Sequence, residues 1–209
     1  MNNEISTKKL IVGIPGWRTG DNSFGCGVNH LDYISSFGNP RILFPHDEDA
    51  DIDMLYLPGG PDLSPSRYGQ YPGFYTSNQD VFRQHFFDAL LPKYIEKGIP
   101  IFGVCLGMQM LNVIFKGTLT QDMKYHAQSK DRWGPAHKVY INGSNRKDNF
   151  DVNSHHHQAV LVSDLSPELE ILAYADNEED KRNQIVEAFK HKTLPIAGVQ
   201  WHPKLFGTC

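Results

Sequence analysis

The chain has 209 residues, 40% of them hydrophobic and 21% charged, and a formal net charge of −4. That length buries a sizeable core, that apolar content argues against disorder, and the mildly acidic balance makes nucleic acid an unexpected partner. Three widely spaced cysteines, Cys26, Cys105 and Cys209, with no C-x-x-C, point away from a disulfide framework or a structural zinc site. No apolar run approaches the roughly 20 residues that span a bilayer, and the start of the chain lacks a signal-peptide pattern, so no membrane partner and a cytoplasmic location are expected.

In chain order, KKLIVGIPGW reads as a first strand, and VNHLDYISSFG (28–38) as a short helix stopped by Gly38. RILFP and MLYLPGG read as strands, with the acidic HDEDADID between them a solvated loop. Residues 61–77 are rich in Pro, Gly, Ser and Tyr and too long for a simple turn, as functional or mobile loops are. Residues 78–98 have helical spacing, with Asn78 as N-cap, a kink or break at Pro92 and a stop at Gly98. IPIFGV is a buried strand and LGMQMLNVIFKG a helix. Beyond that, HKVYING, FDVNSHHHQAVLV, LEILAYA, QIVEAFKH and PIAGVQWH read as strands. The β/α alternation of the front half implies a parallel sheet flanked by helices, with added strands from the back half, all in one domain.

Gly-Val-Cys-Leu-Gly (103–107) has the form glycine, x, nucleophile, x, glycine at a strand-to-helix junction. Flanking glycines permit the tight turn that lifts a nucleophile above the sheet. The turn sets Cys105 at a helix N-terminus, where the dipole and free N–H groups favour the thiolate, and aims the Leu106 N–H at the same spot. His202, in GVQWHP, ends a late strand at the edge where open sheets carry ligands, so it is the candidate base.

These segments resemble the class I glutamine amidotransferase-like superfamily, and within it the γ-glutamyl hydrolase branch of peptidase C26. LYLPGGPDLSPSRYG (55–69), GIPIFGVCLGMQMLNVIFKGTLTQD (98–122), VNSHHHQAV (152–160) and GVQWHP (198–203) occur in the family's order. The resemblance implies a flavodoxin-like three-layer α/β fold with a mostly parallel central sheet. It makes Cys105 the nucleophile and His202 its base, with oxyanion N–H groups from Gly60 and Leu106. Gln109, Asn153 and Ser154 would hold the γ-glutamyl moiety, with His155 in the histidine pair near the site. No cofactor is implied, and the partner is a small γ-glutamyl compound; oligomeric state stays open.

The family's His-Pro-Glu is here His202-Pro203-Lys204, and the closing helix is missing. Three readings stay open: a Cys–His enzyme without the acid, an altered or truncated C-terminus on an ordinary enzyme, and a binding protein that has lost activity. The histidines 155–157 invite a metal reading, but on a strand they would alternate faces and could not share one ion. Loops 17–27 and 123–134 bring Arg18, Lys124 and Arg132, which could bind an anionic leaving group. Likeness to hydrolases of γ-glutamyl-CDP-amidate points the same way, with CDP-amidate passing to capsule phosphoramidate biosynthesis. Other γ-glutamyl amines, a glutaminase subunit feeding a synthetase, and a noncatalytic binding module are the alternatives.

Overall fold

The computed structural model describes residues 9–203 apart from 22, 78, 125, 127, 132 and 133. A nine-stranded sheet runs in the order β4-β1-β5-β6-β11-β10-β9-β7-β8. Its first five strands are β4 (Gly38–Leu43), β1 (Leu10–Pro15), β5 (Met54–Leu57), β6 (Ile101–Val104) and β11 (Ile196–Val199), all parallel neighbours. The remainder, β10 (Ile185–His191), β9 (Leu169–Ala175), β7 (His137–Ile141) and β8 (Asn149–Val152), pair antiparallel. The expected parallel sheet with antiparallel additions from the back half is present.

Alternation along the central strands builds the layers. Leu55 and Leu57 face a cluster with Phe86, Leu90, Met108 and Leu111 from the segments 81–96 and 106–114. Tyr56, with Val12 and Ile14, faces Ile34 of α1 (Val28–Ser35) on the other side. Successive strand side chains point to opposite faces, so one short run serves both cores. Burying a Leu or Ile side chain in this way stabilises the fold by roughly 1.5–3 kcal/mol.

Several local expectations change. α1 ends at Ser35, and Gly38 opens β4 instead of stopping a helix. In the segment expected to be a loop, β2 (Trp17–Gly20) and β3 (Ser23–Gly25) pair antiparallel as a small sheet of their own. The segment after residue 78 starts at Asp80, whose carboxylate accepts from the Arg83 N–H at 2.9 Å, while Asn78 lies outside the described residues. It then divides into α2 (Val81–His85), a π-helical turn over Phe86–Leu90 and α3 (Leu91–Glu96). The break expected at Pro92 is present: the proline cannot donate a backbone hydrogen bond, so it sits in the first turn of α3, and the wide turn before it absorbs the missing partner. Residues 153–161 are irregular, joined to the rest by single bridges at Ala159 and Leu161. Side chains there capture backbone groups that a strand would leave to the ladder.

Register decides where the site falls. Val199 pairs with Val104, so Gln200 and His202 emerge beside Cys105. Leu57 pairs with Gly103, so Gly59 and Gly60 leave β5 at the same edge.

Candidate active site

Cys105 has φ 52° and ψ −110°, a backbone conformation that L-residues rarely adopt. It caps α4 (Leu106–Ile114) and is held by its own N–H to Val199 O at 2.9 Å and its carbonyl to the Gln109 N–H at 3.0 Å. The two flanking glycines make this turn sterically possible. A Cβ on Gly107 would lie 2.2 Å from Leu57 O, and one on Gly103 2.6 Å from the Gly107 carbonyl. Strand, turn and helix therefore meet backbone to backbone, which gives the sharp junction that the G-x-C-x-G spacing implies.

The thiol is 5% exposed. Burial pushes its pKa up to about 11, against the pull of the Leu106 N–H, the Gln200 amide and the Arg83 charge; nearby Glu187 adds to the rise. The helix N-terminus does not produce the expected thiolate, because desolvation outweighs it.

His202 reaches the thiol's neighbourhood from the β11 side. A Cβ placed on Gly59 would be 2.6 Å from His202 Cε1, 3.3 Å from its Nε2 and 3.3 Å from Cys105 Cβ. The imidazole edge and the Cys105 side chain thus flank the same bare glycine. Asn153 fixes the backbone there, donating from Nδ2 to His202 O at 2.6 Å and accepting from the His202 N–H at 2.8 Å. The His155 ring stands edge-on to His202, with centroids 6.1 Å apart.

A cavity of about 270 Å³ opens at Cys105, lined among others by Gly60, Asp62, Gln109, His155, His157 and Gln158. Gln109 donates to Gln158 O at 3.0 Å and to Gln200 Oε1 at 3.1 Å, so its amide stiffens the cavity wall. Asn153 and Ser154 do not line this cavity. Asn153 is engaged with the His202 backbone, and Ser154 is fully buried with its N–H on Ser129 Oγ.

Two of the three residues expected at an anion subsite are described, Arg18 and Lys124. Arg18 turns back on its own segment, donating to Gly20 O and Asp21 O, each at 3.0 Å. Lys124 is held through its backbone N–H to Glu179, and neither residue lines the Cys105 cavity. Arg132 and Lys204 lie outside the described residues.

The structure also adds residues that the sequence did not single out. Arg83, 7% exposed, donates from Nη1 to Gly59 O at 2.8 Å and stacks 4.0 Å over the Trp17 ring. It props the Gly59–Gly60 turn and brings positive charge toward the thiol; burial lowers its own pKa to about 10. Nothing in a single sequence marks one arginine on a helix as buried. Asp62 lies in the DLSPSRYG segment. It accepts from the Ser77 N–H at 2.7 Å and contacts His157 Nε2 at 3.1 Å, closing the 61–77 loop on itself. Gln121 ties the same loop at the Gly73 N–H and Thr76. Gln200 was within reach of the sequence, two residues before the candidate base.

Behind the cavity, His156 is buried, with Nδ1 on Gln158 O at 2.9 Å and Nε2 3.1 Å from His126 Nε2. Burial lowers both imidazoles, His126 to about 4. His155, His156 and His157 diverge toward His202, His126 and Asp62, so they do not share one ion.

Known proteins agree with this architecture. The peptidase C26 family model matches residues 45–204. The YvdE protein of Lactococcus lactis, named as glutamine amidotransferase-like, is 32% identical, with 83% of this chain and 78% of that one covered. The γ-glutamyl-γ-aminobutyrate hydrolase PuuD of Escherichia coli is 30% identical, covering 73% of this chain and 64% of its own. Among solved structures, a glutamine amidotransferase of Thermotoga maritima superposes with a TM-score of 0.59 at 18% identity, over 93% of this chain and 76% of that one. The glutaminase domain of Trypanosoma brucei CTPS gives 0.60 at 18% identity, over 95% and 88%. The fold is that of the class I glutamine amidotransferases, and the chain belongs to the peptidase C26 family.

Proposed function

We propose that this protein hydrolyses γ-glutamyl amides through a Cys105 thioester, with His202 as base. The observation that carries the reading is the strained turn at Cys105, which exposes its side chain to the cavity, with the His202 ring edge against the same Gly59. The thiol is protonated at neutral pH, so His202 takes its proton as sulfur attacks the γ-carbonyl. The oxyanion meets the N–H groups of Leu106 and Gly60. His202 then returns the proton to the leaving amine. Water, deprotonated by His202, cleaves the thioester and releases glutamate. The wall formed by Asp62, His155 and His157 faces the α-amino acid end of the glutamyl group.

The leaving group is set outside that wall. The substrate in PuuD's name makes γ-glutamyl-γ-aminobutyrate the first amide to try. Hydrolysis of γ-glutamyl-CDP-amidate calls for an anion site, and the positions of Arg18 and Lys124 give that reading no support. The test is glutamate release from γ-glutamyl-γ-aminobutyrate, γ-glutamyl-CDP-amidate and glutamine, with Cys105→Ala as the blank. Release that survives Cys105→Ala overturns the nucleophile. Release from glutamine alone keeps the thioester chemistry and assigns a glutaminase, with ammonia as the leaving amine, and release from none overturns the hydrolase reading.

A further inference from the structure

We propose that His126, His137 and Glu187 form a binding site for a divalent transition-metal ion of the zinc type, beside the catalytic cavity and independent of the catalytic reading. Each of the three offers a ligand atom, and these atoms all lie within 4.8 Å of one another. They come from three separate parts of the chain: the loop after Met123, strand β7 and strand β10.

Glu187 is the unusual member. Its side chain is fully buried, and among the described residues its Oε2 has no hydrogen-bond partner and its Oε1 meets only His137 Nε2, at 3.0 Å. His137 Nδ1 is likewise buried and has no partner among the described residues. A buried carboxylate with one oxygen unsatisfied costs several kcal/mol unless a cation or further donors complete its surroundings. The strand is also shaped to aim this side chain. Val186 pairs with Tyr174 and Ala188 with Ala173, so Glu187 is the extra residue of a β-bulge. A bulge redirects one side chain out of the regular alternation, and such bulges cluster next to functional sites.

The imidazoles are prepared in the way metal ligands are. A carbonyl only accepts, so His156 Nδ1, 2.9 Å from Gln158 O, carries the hydrogen of the neutral ring. Its Nε2 therefore presents a lone pair toward His126 Nε2, 3.1 Å away. His156 Nε2 thus accepts a hydrogen bond from His126 Nε2, which leaves His126 Nδ1 with the lone pair, and His156 supports the group of three from outside it. Bonds of about 2.0–2.1 Å in a tetrahedral zinc site put neighbouring ligand atoms about 3.3–3.4 Å apart. The 3.0 Å His137–Glu187 separation needs to open by a few tenths of an ångström, and the other separations in the group, each within 4.8 Å, to close to that spacing, with solvent as the fourth ligand. A set of imidazoles with one carboxylate suits zinc and its neighbours rather than magnesium or calcium.

An entry path exists. A cavity of about 250 Å³ is lined by His126 and His137, and Asp176, Glu178 and Glu179 sit around it. Those carboxylates would concentrate cations at the opening.

The experiment uses untagged protein carrying Cys105→Ala, so that the thiol cannot compete for metal. After chelation and dialysis it is titrated with Co²⁺, followed by visible absorption, and with Zn²⁺, followed by calorimetry and melting temperature. One equivalent should bind, with the intense visible bands of four-coordinate Co²⁺ and a higher Tm with Zn²⁺. Adding His137→Gln or Glu187→Gln should weaken binding by more than about tenfold. His126→Gln changes a loop residue and guards against variants that fail to fold; it should weaken binding equally with the circular dichroism unchanged. No Zn²⁺ binding by the folded protein, or binding that persists unchanged in His126→Gln and His137→Gln, overturns the site and leaves a simple His137–Glu187 pair.

Discussion

Gly59→Ala inserts one methyl group between the proposed base and nucleophile. Its Cβ would fall 2.6 Å from His202 Cε1, whereas carbon atoms rest at about 3.5 Å or more. The ring must therefore withdraw by about 1 Å. It must do so by swinging about its own side-chain bonds, because Asn153 holds the His202 backbone at both N–H and carbonyl. A displacement of about 1 Å in a reacting group costs about 10²-fold in rate, close to 2.7 kcal/mol of barrier. Gly59 does not line the Cys105 cavity, so KM should barely move. The Tm should change little, because the ring is only part-buried. The assay is release of p-nitroaniline from γ-glutamyl-p-nitroanilide, with kcat and KM determined separately and a melting curve alongside. A kcat within about threefold of wild type at equal Tm would refute the placement of His202 as the working base.

Arg83→Met keeps the stem on Trp17 but leaves Gly59 O without its donor. Chemical denaturation should show a loss of about 1–3 kcal/mol, and kcat should fall, with partial rescue by Arg83→Lys. Asn153→Asp keeps the acceptor for the His202 N–H but sets a carboxylate against its carbonyl. It should lower kcat about tenfold or more with KM nearly unchanged, where a substrate-binding role would raise KM instead. Cys105, with its pKa pushed up to about 11, should be alkylated by iodoacetamide at a rate that climbs about tenfold per pH unit between pH 7 and 10. A plateau starting near pH 6 would reveal a preformed thiolate–imidazolium pair. The same shift is linked to stability. The folded pKa lies above the unfolded one, so the contribution is complete below about pH 9 and is lost as pH rises toward 11. Cys105→Ala should therefore flatten the alkaline decline in Tm.

The parallel strands at the centre of the sheet, the sharp turn at Cys105 and the C26 relationship were legible in the sequence because each rests on local rules, whereas the β2–β3 pair and the irregular course of 153–161 were not. Leu55, Tyr56 and Leu57 alternate faces wherever they are placed. Gly103 and Gly107 bracket the cysteine because backbones must touch there. The break at Pro92 was legible, because a proline lacks the backbone donor, but the boundary at Gly38 was not, since strand pairing claims that residue. The thiol's ionisation also escaped local reasoning: helix polarity is visible in sequence, whereas desolvation depends on everything packed around Cys105. Arg83, Asn153 and Glu187 acquire their roles only through contacts 24, 49 and 50 residues away. Sequence periodicity encodes which face a side chain takes, but a parallel sheet is assembled from distant segments. Which polar groups meet at its edge is therefore a property of register and crossover, decided in three dimensions.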